Sequence, residues 1–297
     1  MTTVGAPAAR GAQRRGNRPK VAVLGVGRMG GALALGLLRA GWDVFVVPRS
    51  KDSRRRARAL GIPTAERGAL DAVSMCILAI PDPAVPSLAG ELDEELPPHV
   101  ALVHCAGGLT LTALSRRPKS RARPLGSFHP LCAVSDPRDE LAGHAVALSA
   151  TQAGLRTRLR QMASVLRLKP LDVPESGRRA YHAGAVLAAG GVVALANSAA
   201  LAWARAGIGE VRATGALTPL MRSAIRGIEQ RGLRGALTGP IARGDWEMVE
   251  RHLKALPRQC RGVYLSLAEQ SLHLAAANLS EKKKRMLRDV LRRWRKP

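Results

Sequence analysis

Short apolar runs alternate with amphipathic stretches along the first half of the chain. Val21-Ala22-Val23-Leu24 is unbroken by any polar residue and bounded by glycine, the pattern of a parallel strand buried on both faces. From Arg28 to Ala40, Met29, Leu33 and Leu37 recur on one helical face, and Gly41 stands where a helix is capped. Trp42–Val47 reads as the next strand and Arg54–Leu60 as a basic helix. Val73–Ile80, stopped by Pro81 and Pro83, and Val100–Val103 read as two more strands. Strand and helix signals in this alternation predict right-handed βαβ units and an α/β, doubly wound parallel sheet with helices on both faces.

The pattern then changes. Strands are predicted near Leu125–Phe128, Ala145–Leu148 and Pro170–Val173, with a helix at Gly154–Leu166. Beyond them only helical periodicity remains, at Arg178–Ala206, Thr218–Arg231, Trp246–Leu256 and Gly262–Asn278. The expected organisation is a disordered basic arm over 1–18, a Rossmann-like domain over 19–173, an all-α domain over 174–280 and a basic helical tail over 281–297.

Composition refines this picture. The 297 residues hold 46% hydrophobic side chains, enough for packed cores, but only 3% aromatics, so Ala, Leu and Val must fill them. Lys and Arg number 47 against 22 Asp and Glu, a net charge of +25. About half of that surplus lies at the ends: residues 1–20 carry five basic groups and no acid, and residues 281–297 nine against two. Such ends are either solvated tails or an attraction to nucleic acid or an anionic surface. The scarcity of aromatics on which bases could stack argues against nucleic acid. Cys76, Cys105, Cys132 and Cys260 are widely spaced, with neither a Cys-x-x-Cys pair nor a His/Cys cluster, so no metal site is expected and reduced thiols in a cytoplasm are. Ala183–Ala204 is 22 residues without a charge, but ten are Ala and three Gly; a helix buried within protein is expected there rather than a membrane span.

The chemistry is announced by Gly25-x-Gly27-x-x-Gly30, placed between the first strand and the first helix. Gly25 permits a tight turn, Gly27 lets the backbone approach a pyrophosphate, and Gly30 lets helix and sheet pack closely. The amides of the helix start, at Arg28 and Met29, then face the phosphates. The second strand ends Val47-Pro48-Arg49-Ser50-Lys51, with no acid until Asp52. A carboxylate at this place would accept from the ribose hydroxyls of NAD; Arg49 and Ser50 instead suit a 2′-phosphate, and NADP(H) is predicted. The competing reading assigns Arg49 and Lys51 to the solvated basic run Lys51–Arg58. Ile80-Pro81-Asp82 and His104-Cys105-Ala106-Gly107 close two further strands, whose carboxyl ends should line the nicotinamide half of the cleft. Asp82 is either a site carboxylate or a turn-former between prolines, and His104 either a donor to the ligand or a satisfied structural histidine.

Three further segments carry a family resemblance: Gly126-Ser127-Phe128-His129-Pro130, Tyr181-His182-Ala183, and Ala236-Leu237-Thr238-Gly239-Pro240-Ile241-Ala242-Arg243-Gly244-Asp245 with His252-Leu253. Over about residues 20–275 the chain resembles a bacterial family in which a Rossmann-like NADP-binding domain is fused to a helical domain of unassigned function. That family is related in architecture to pyrroline-carboxylate reductase, ketopantoate reductase and hydroxyisobutyrate dehydrogenase. The resemblance implies an oxidoreductase with an interdomain cleft, a helical domain that mediates homodimerisation, and site positions at His129, Tyr181, His182 and His104, with Thr238, Arg243 and Asp245 toward substrate. Two departures stand out, Gly190 and Gly227 where the family usually has Asn. Read chemically, a His or a Tyr hydroxyl can serve hydride transfer as the acid/base group, and His129 is expected on a loop. Arg243 would recognise a substrate carboxylate, while Asp245 either orients it or caps the helix that starts at Trp246. The sequence thus points to an NADP(H)-dependent oxidoreductase of a small carbonyl, imine or hydroxy acid. Its alternatives are a catalytically silent NADP-binding sensor and a binder of nucleic acid or anionic surfaces through the basic ends.

Overall fold

A computed structural model describes residues 19–114 and 123–295. The expected arm over 1–18, the segment 115–122 and the last two residues of the tail lie outside the described residues. The chain divides into two compact units, 1–186 and 187–297.

The first unit is built on a seven-stranded sheet in the order β2-β1-β3-β4-β5-β6-β7. Its strands are β1 (Val21–Leu24), β2 (Val44–Val46), β3 (Met75–Leu78), β4 (Ala101–His104), β5 (Leu125–Leu131), β6 (Ala145–Ala150) and β7 (Lys169–Asp172). All neighbours run parallel except β5 and β6. Within β1, Val21 and Val23 enter one apolar cluster, with Leu33, Leu37, Phe128 and Leu159. Ala22 and Leu24 enter the other, with Leu78, Leu88 and Leu92. Alternate residues thus serve opposite faces, which is why the strand shows no polar position. The helices covering the sheet are α1 (Arg28–Arg39), α2 (Lys51–Ala59), α3 (Val85–Glu95) and α4 (Ala153–Val165). Arg123, buried beside Asp93, donates to the carbonyls of Asp93, Leu96 and Val100 and so satisfies acceptors at the end of α3. β7 is exposed along its length and contains Pro170, acceptable on an edge strand.

Two expectations need correction. His129 is not on a loop: it lies in β5, opposite Ala147 of β6. Pro130 signalled a loop, but β4 pairs with β5 only as far as Ser127, so the missing proline amide costs no bond on that side. The long helix expected over Arg178–Ala206 is two, α5 (Arg178–Ala188) and α6 (Gly190–Ala204), divided at Ala189 before the Gly190-Gly191 pair. The division between the two units, after Val186, falls inside α5.

The second unit contains α6, α7 (Glu210–Ala236), α8 (Pro240–Arg243), α9 (Trp246–Ala255), α10 (Arg258–Ala275) and α11 (Glu281–Arg295). Within α7, Gly232 adopts φ 68°, so this segment is two helices joined at a kink. The core of the unit joins Val249 and Leu253 of α9, Leu265 and Leu272 of α10, and Leu287, Val290 and Leu291 of α11. The basic tail is therefore an amphipathic helix that belongs to a core, with Trp294 packed beside it under the Arg261 guanidinium, 4.9 Å from the ring centroid. Arg293 pairs with Glu250 at 3.3 Å and Arg295 with Glu269 at 2.7 Å. None of α6 is buried within the chain. The expected burial of Ala183–Ala204 is thus not met by this single chain, which leaves Leu187 and Val193 more than 70% exposed, at 74% and 71%.

Because Leu287 is wholly buried, Leu287→Ala should lower the stability of the second unit by about 3 kcal/mol in urea unfolding. A loss below about 0.5 kcal/mol, as at an ordinary surface position, would place α11 outside the core.

Candidate functional site

The turn after β1 leaves no room for side chains. Gly25 has φ 111°, in the left-handed region, and a Cβ there would run into the Ala79 carbonyl beyond β3. A Cβ at Gly30 would strike the Gly25 carbonyl and lie 3.1 Å from the Ala79 Cβ. Gly27 differs, since a Cβ there would meet nothing within 4 Å. This glycine is the N-cap of α1, with no side-chain cap bond and no acid in the first turn. Free amides at Arg28 and Met29 and the positive end of the helix therefore open onto unfilled space, the cradle a pyrophosphate needs. The residues present fit a dinucleotide.

At the end of β2, Ser50 caps α2 in a reciprocal box: its hydroxyl accepts from the Ser53 amide at 3.1 Å, and the Ser53 hydroxyl accepts from the Ser50 amide at 3.0 Å. That hydroxyl is already engaged in holding the helix start. Arg54 is paired with Glu66 and Arg55 with Asp52, whereas Arg49 and Lys51, both exposed, make no ion pair among the described residues. Arg49 and Lys51, which flank the α2 N-terminus, thus stand there without a carboxylate partner among the described residues.

On the other side of β1, Ile80 and Pro81 follow β3, and Asp82, half-buried, opens a short 3-10 turn. β4 ends at His104, and Cys105, Ala106 and Gly107 turn back across the sheet rim. The four predicted acid/base candidates share this region. His129 Nδ1 lies 2.9 Å from the Tyr181 hydroxyl, and the His129 and His182 rings meet edge to face at 5.9 Å. A Cβ at Gly107 would collide with His182 Nδ1 and lie 2.9 Å from His129 Nε2, so both imidazoles rest on this glycine. His104 is wholly buried, and neither its nitrogens nor His182 Nδ1 has a hydrogen-bond partner among the described residues. Buried polar atoms left without partners mark a place where a ligand or water completes the site.

Electrostatics follow from burial. Desolvation, and after it His182 and Arg178, push His129 down to about 4. Desolvation, then Arg178, push His104 down to about 4 as well. Burial raises the Tyr181 hydroxyl above its usual range. At neutral pH the site therefore presents neutral imidazoles beside a protonated phenol. Burial pushes the Cys105 thiol up to about 12, which removes it as a nucleophile. No group of three or more His, Cys, Asp or Glu among the described residues is placed to hold a metal ion.

The sequence reading missed Arg178. This guanidinium is wholly buried and donates to Glu175 at 3.3 Å, to the Gly107 carbonyl at 3.4 Å, to Ser149 at 3.5 Å and to Ser127. Glu175 accepts from the Leu111 amide and from Ser149, each at 2.8 Å. Glu175 lies only three residues before it, but Gly107, Ser127 and Ser149 come from the loop after β4, from β5 and from β6, and no local spacing reveals those partners.

The remaining predicted positions belong to the second unit. Thr238 lies in the turn after α7, Arg243 ends α8, and Asp245 caps α9 by accepting from the Met248 amide at 3.0 Å. Capping, one of the two readings of Asp245, is thus observed. The Arg243 carbonyl accepts from Lys283 Nζ at 2.7 Å. A second histidine–tyrosine pair, His252 Nδ1 to the Tyr264 hydroxyl at 2.9 Å, ties α9 to α10.

Residues 20–108 match the family described as NADP oxidoreductase, coenzyme F420-dependent, and residues 144–271 match the domain of unknown function DUF2520. No curated protein sequence matches the chain. Among solved structures, a putative NADP oxidoreductase from Bacteroides fragilis is similar at 20% identity and a TM-score of 0.71, over 86% of this chain and 98% of that one. A Thermotoga maritima protein follows at 23% identity and 0.68, over 87% and 99%. The 1-pyrroline-5-carboxylate reductase of Streptococcus pyogenes has 18% identity and 0.62, over 86% and 99%. These likenesses confirm the fold, and the family match supplies the cofactor, NADP. The chain thus carries a Rossmann-like domain that matches an NADP oxidoreductase family, followed by a segment that matches the domain of unknown function DUF2520.

Proposed function

We propose that the chain is an NADPH-dependent reductase of a small carbonyl or imine, or of the corresponding hydroxy acid in reverse. The observation that carries this reading is the His129–Tyr181–His182 cluster seated on Gly107, at the carboxyl rim of the sheet that also carries the glycine turn. NADPH, when bound, supplies a hydride to the electrophilic carbon of the substrate. The protein's own task is to deliver a proton to the oxygen or nitrogen of the same double bond. A neutral His129 is a poor proton donor, so the Tyr181 hydroxyl takes that role. With Nδ1 protonated, His129 donates to the Tyr181 oxygen and stabilises the phenolate left behind; solvent then restores the hydroxyl proton. His182, half-buried and with Nδ1 unpartnered, orients the polar end of the ligand, while the enclosed His104 supports the rim behind it. Thr238, Arg243 and Asp245 all belong to the second unit, where Asp245 is taken up as the α9 cap; free thiols at all four cysteines favour a cytoplasmic setting.

The silent-binder alternative draws on Gly190, where a Cβ would meet nothing within 4 Å, so the amide of the related family's Asn has no counterpart. The apolar stretch Glu175–Ala204 has the length and composition of a membrane span, but it begins in the buried Arg178 network and breaks at Ala189. We assign its exposed apolar residues, with Leu220 and Leu233 of α7 at 61% and 62% exposure, to a homodimer contact.

Three outcomes test the proposal. Wild-type protein should oxidise NADPH with a member of a carbonyl and imine panel, and His129→Ala should lower kcat about a hundredfold while NADPH affinity stays within about twofold; equal turnover in the variant would remove His129 from the reaction. Arg49→Asp should weaken NADPH at least tenfold, on the order of a lost charged hydrogen bond, and NADH little; equal weakening would mean that Arg49 does not meet the 2′-phosphate. In light scattering, wild type should have the mass of a dimer and a Val193→Asp, Leu220→Asp double variant that of a monomer. A monomeric wild type would refute the dimer.

A further inference from the structure

The loop after β4 is held at both ends by one ion pair. Arg178 donates to the Gly107 carbonyl, and Glu175 accepts from the Leu111 amide at 2.8 Å. The two side chains meet each other at 3.3 Å, and Ser127 of β5 and Ser149 of β6, 2.9 Å apart, fill in beneath them. The His182 and His129 rings rest on Gly107, the first anchor, and His182 also on Gly108 beside it. We propose that Glu175 and Arg178 form a clamp on this loop, and that both are positioning residues for the nicotinamide end of the cofactor and for His129. The inference rests on the reductase reading only for what the loop faces; the clamp itself is geometry.

A structural role alone explains the pair poorly. With the Glu175 side chain 40% exposed and Arg178 wholly enclosed, the pair adds little stability over an apolar replacement of the arginine, because desolvating the guanidinium consumes the Coulombic gain. What an apolar replacement could not do is hold a carbonyl and an amide four residues apart on one loop at fixed positions. Nor could it place a permanent cation beside imidazoles. The charged or titratable groups facing His129 are Arg178, Tyr181 and His182 from α5 and His104 from β4; Arg178 and Glu175 both face His104. A cation beside an imidazole disfavours its protonation, so removing that charge raises the imidazole pKa.

The test uses the full chain, with NADPH affinity from fluorescence titration and the His129 ring followed by NMR against pH. Arg178→Met should weaken NADPH about tenfold, the scale of a lost charged hydrogen bond, and move the His129 titration upward toward its ordinary value. Arg178→Lys should leave the titration near that of wild type while still weakening NADPH, since lysine keeps the charge but not the fork of donors. A structural role alone would not separate the two variants in this way. An Arg178→Met protein with unchanged NADPH affinity and unchanged His129 titration would overturn the proposal. Should Arg178→Met fail to fold, Glu175→Gln decides: NADPH weakened several-fold supports the clamp, and affinity within about twofold of wild type refutes it. A wild type that binds NADPH but turns over nothing would sink the reductase reading and leave the clamp standing.

Discussion

The turn after β1 and the end of β3 approach each other so closely that no side chain fits between them. A Cβ at Gly25 or Gly30 would overlap backbone, whereas one at Gly27 would stand in free space. From this asymmetry the layout of the first unit can be derived. The two crowded glycines bring α1 down onto β1 and β3, where Leu33 and Leu37 join the apolar cluster of the sheet. The uncrowded one leaves the amides of the helix start facing outward. Strand order reverses at the same place, since β2 lies on one side of β1 and β3 on the other. A crevice at the carboxyl ends is the geometric result.

Burial then decides what the crevice can do. Four titratable side chains gather near Gly107, and for three of them, His104, His129 and Tyr181, desolvation shifts the titration more than any partner does. The fixed charge in their midst, Arg178, is wholly enclosed and bonded to Glu175, to two serines and to a carbonyl. An enclosed guanidinium cannot contact a substrate anion, but it sets the potential for the neutral groups that can contact substrate. The +25 of the whole chain thus says little about the site: much of it lies in α2 and α11, while the charge that matters for chemistry is a single buried residue.

Much of the architecture was legible because parallel strands buried on both faces are continuous apolar runs. β1, β3 and β4 announce themselves in this way, and the glycine spacing fixes the turn that leads from β1 into α1. The errors have specific causes. Pro130 suggested a loop because a proline cannot sit in a fully paired strand, yet β5 outruns β4 and the proline falls where only β6 is opposite. The charged tail drew attention to its charge, as solvated ends or an attraction to an anionic partner, because its basic residues outnumber the apolar ones, but Leu287, Val290, Leu291 and Trp294 pack with one core. The cluster residues His104, His129, Tyr181 and His182 were named; the pair behind them was not. Its hydrogen bonds to Ser127 and Gly107 span 51 and 71 residues, and only the folded sheet brings them together.

The second unit shows the same physics from its unsatisfied side. Its core, around Leu253, Leu265 and Leu287, is drawn from α9, α10 and α11, and α6 contributes no buried residue. A helix with ten alanines in its neighbourhood gains nothing from side-chain entropy or charge by facing water, and Leu187, Val193, Leu220 and Leu233 incur the hydration cost of exposed apolar surface. Small residues at such a face permit close helix approach, and the charge-free length of the stretch excludes the ion pairs that fix α11 on its own unit. A face that is apolar, small and free of charge is stable only when covered. The proposed homodimer would cover it by setting this face against the same face of a second copy, provided that the face is self-complementary.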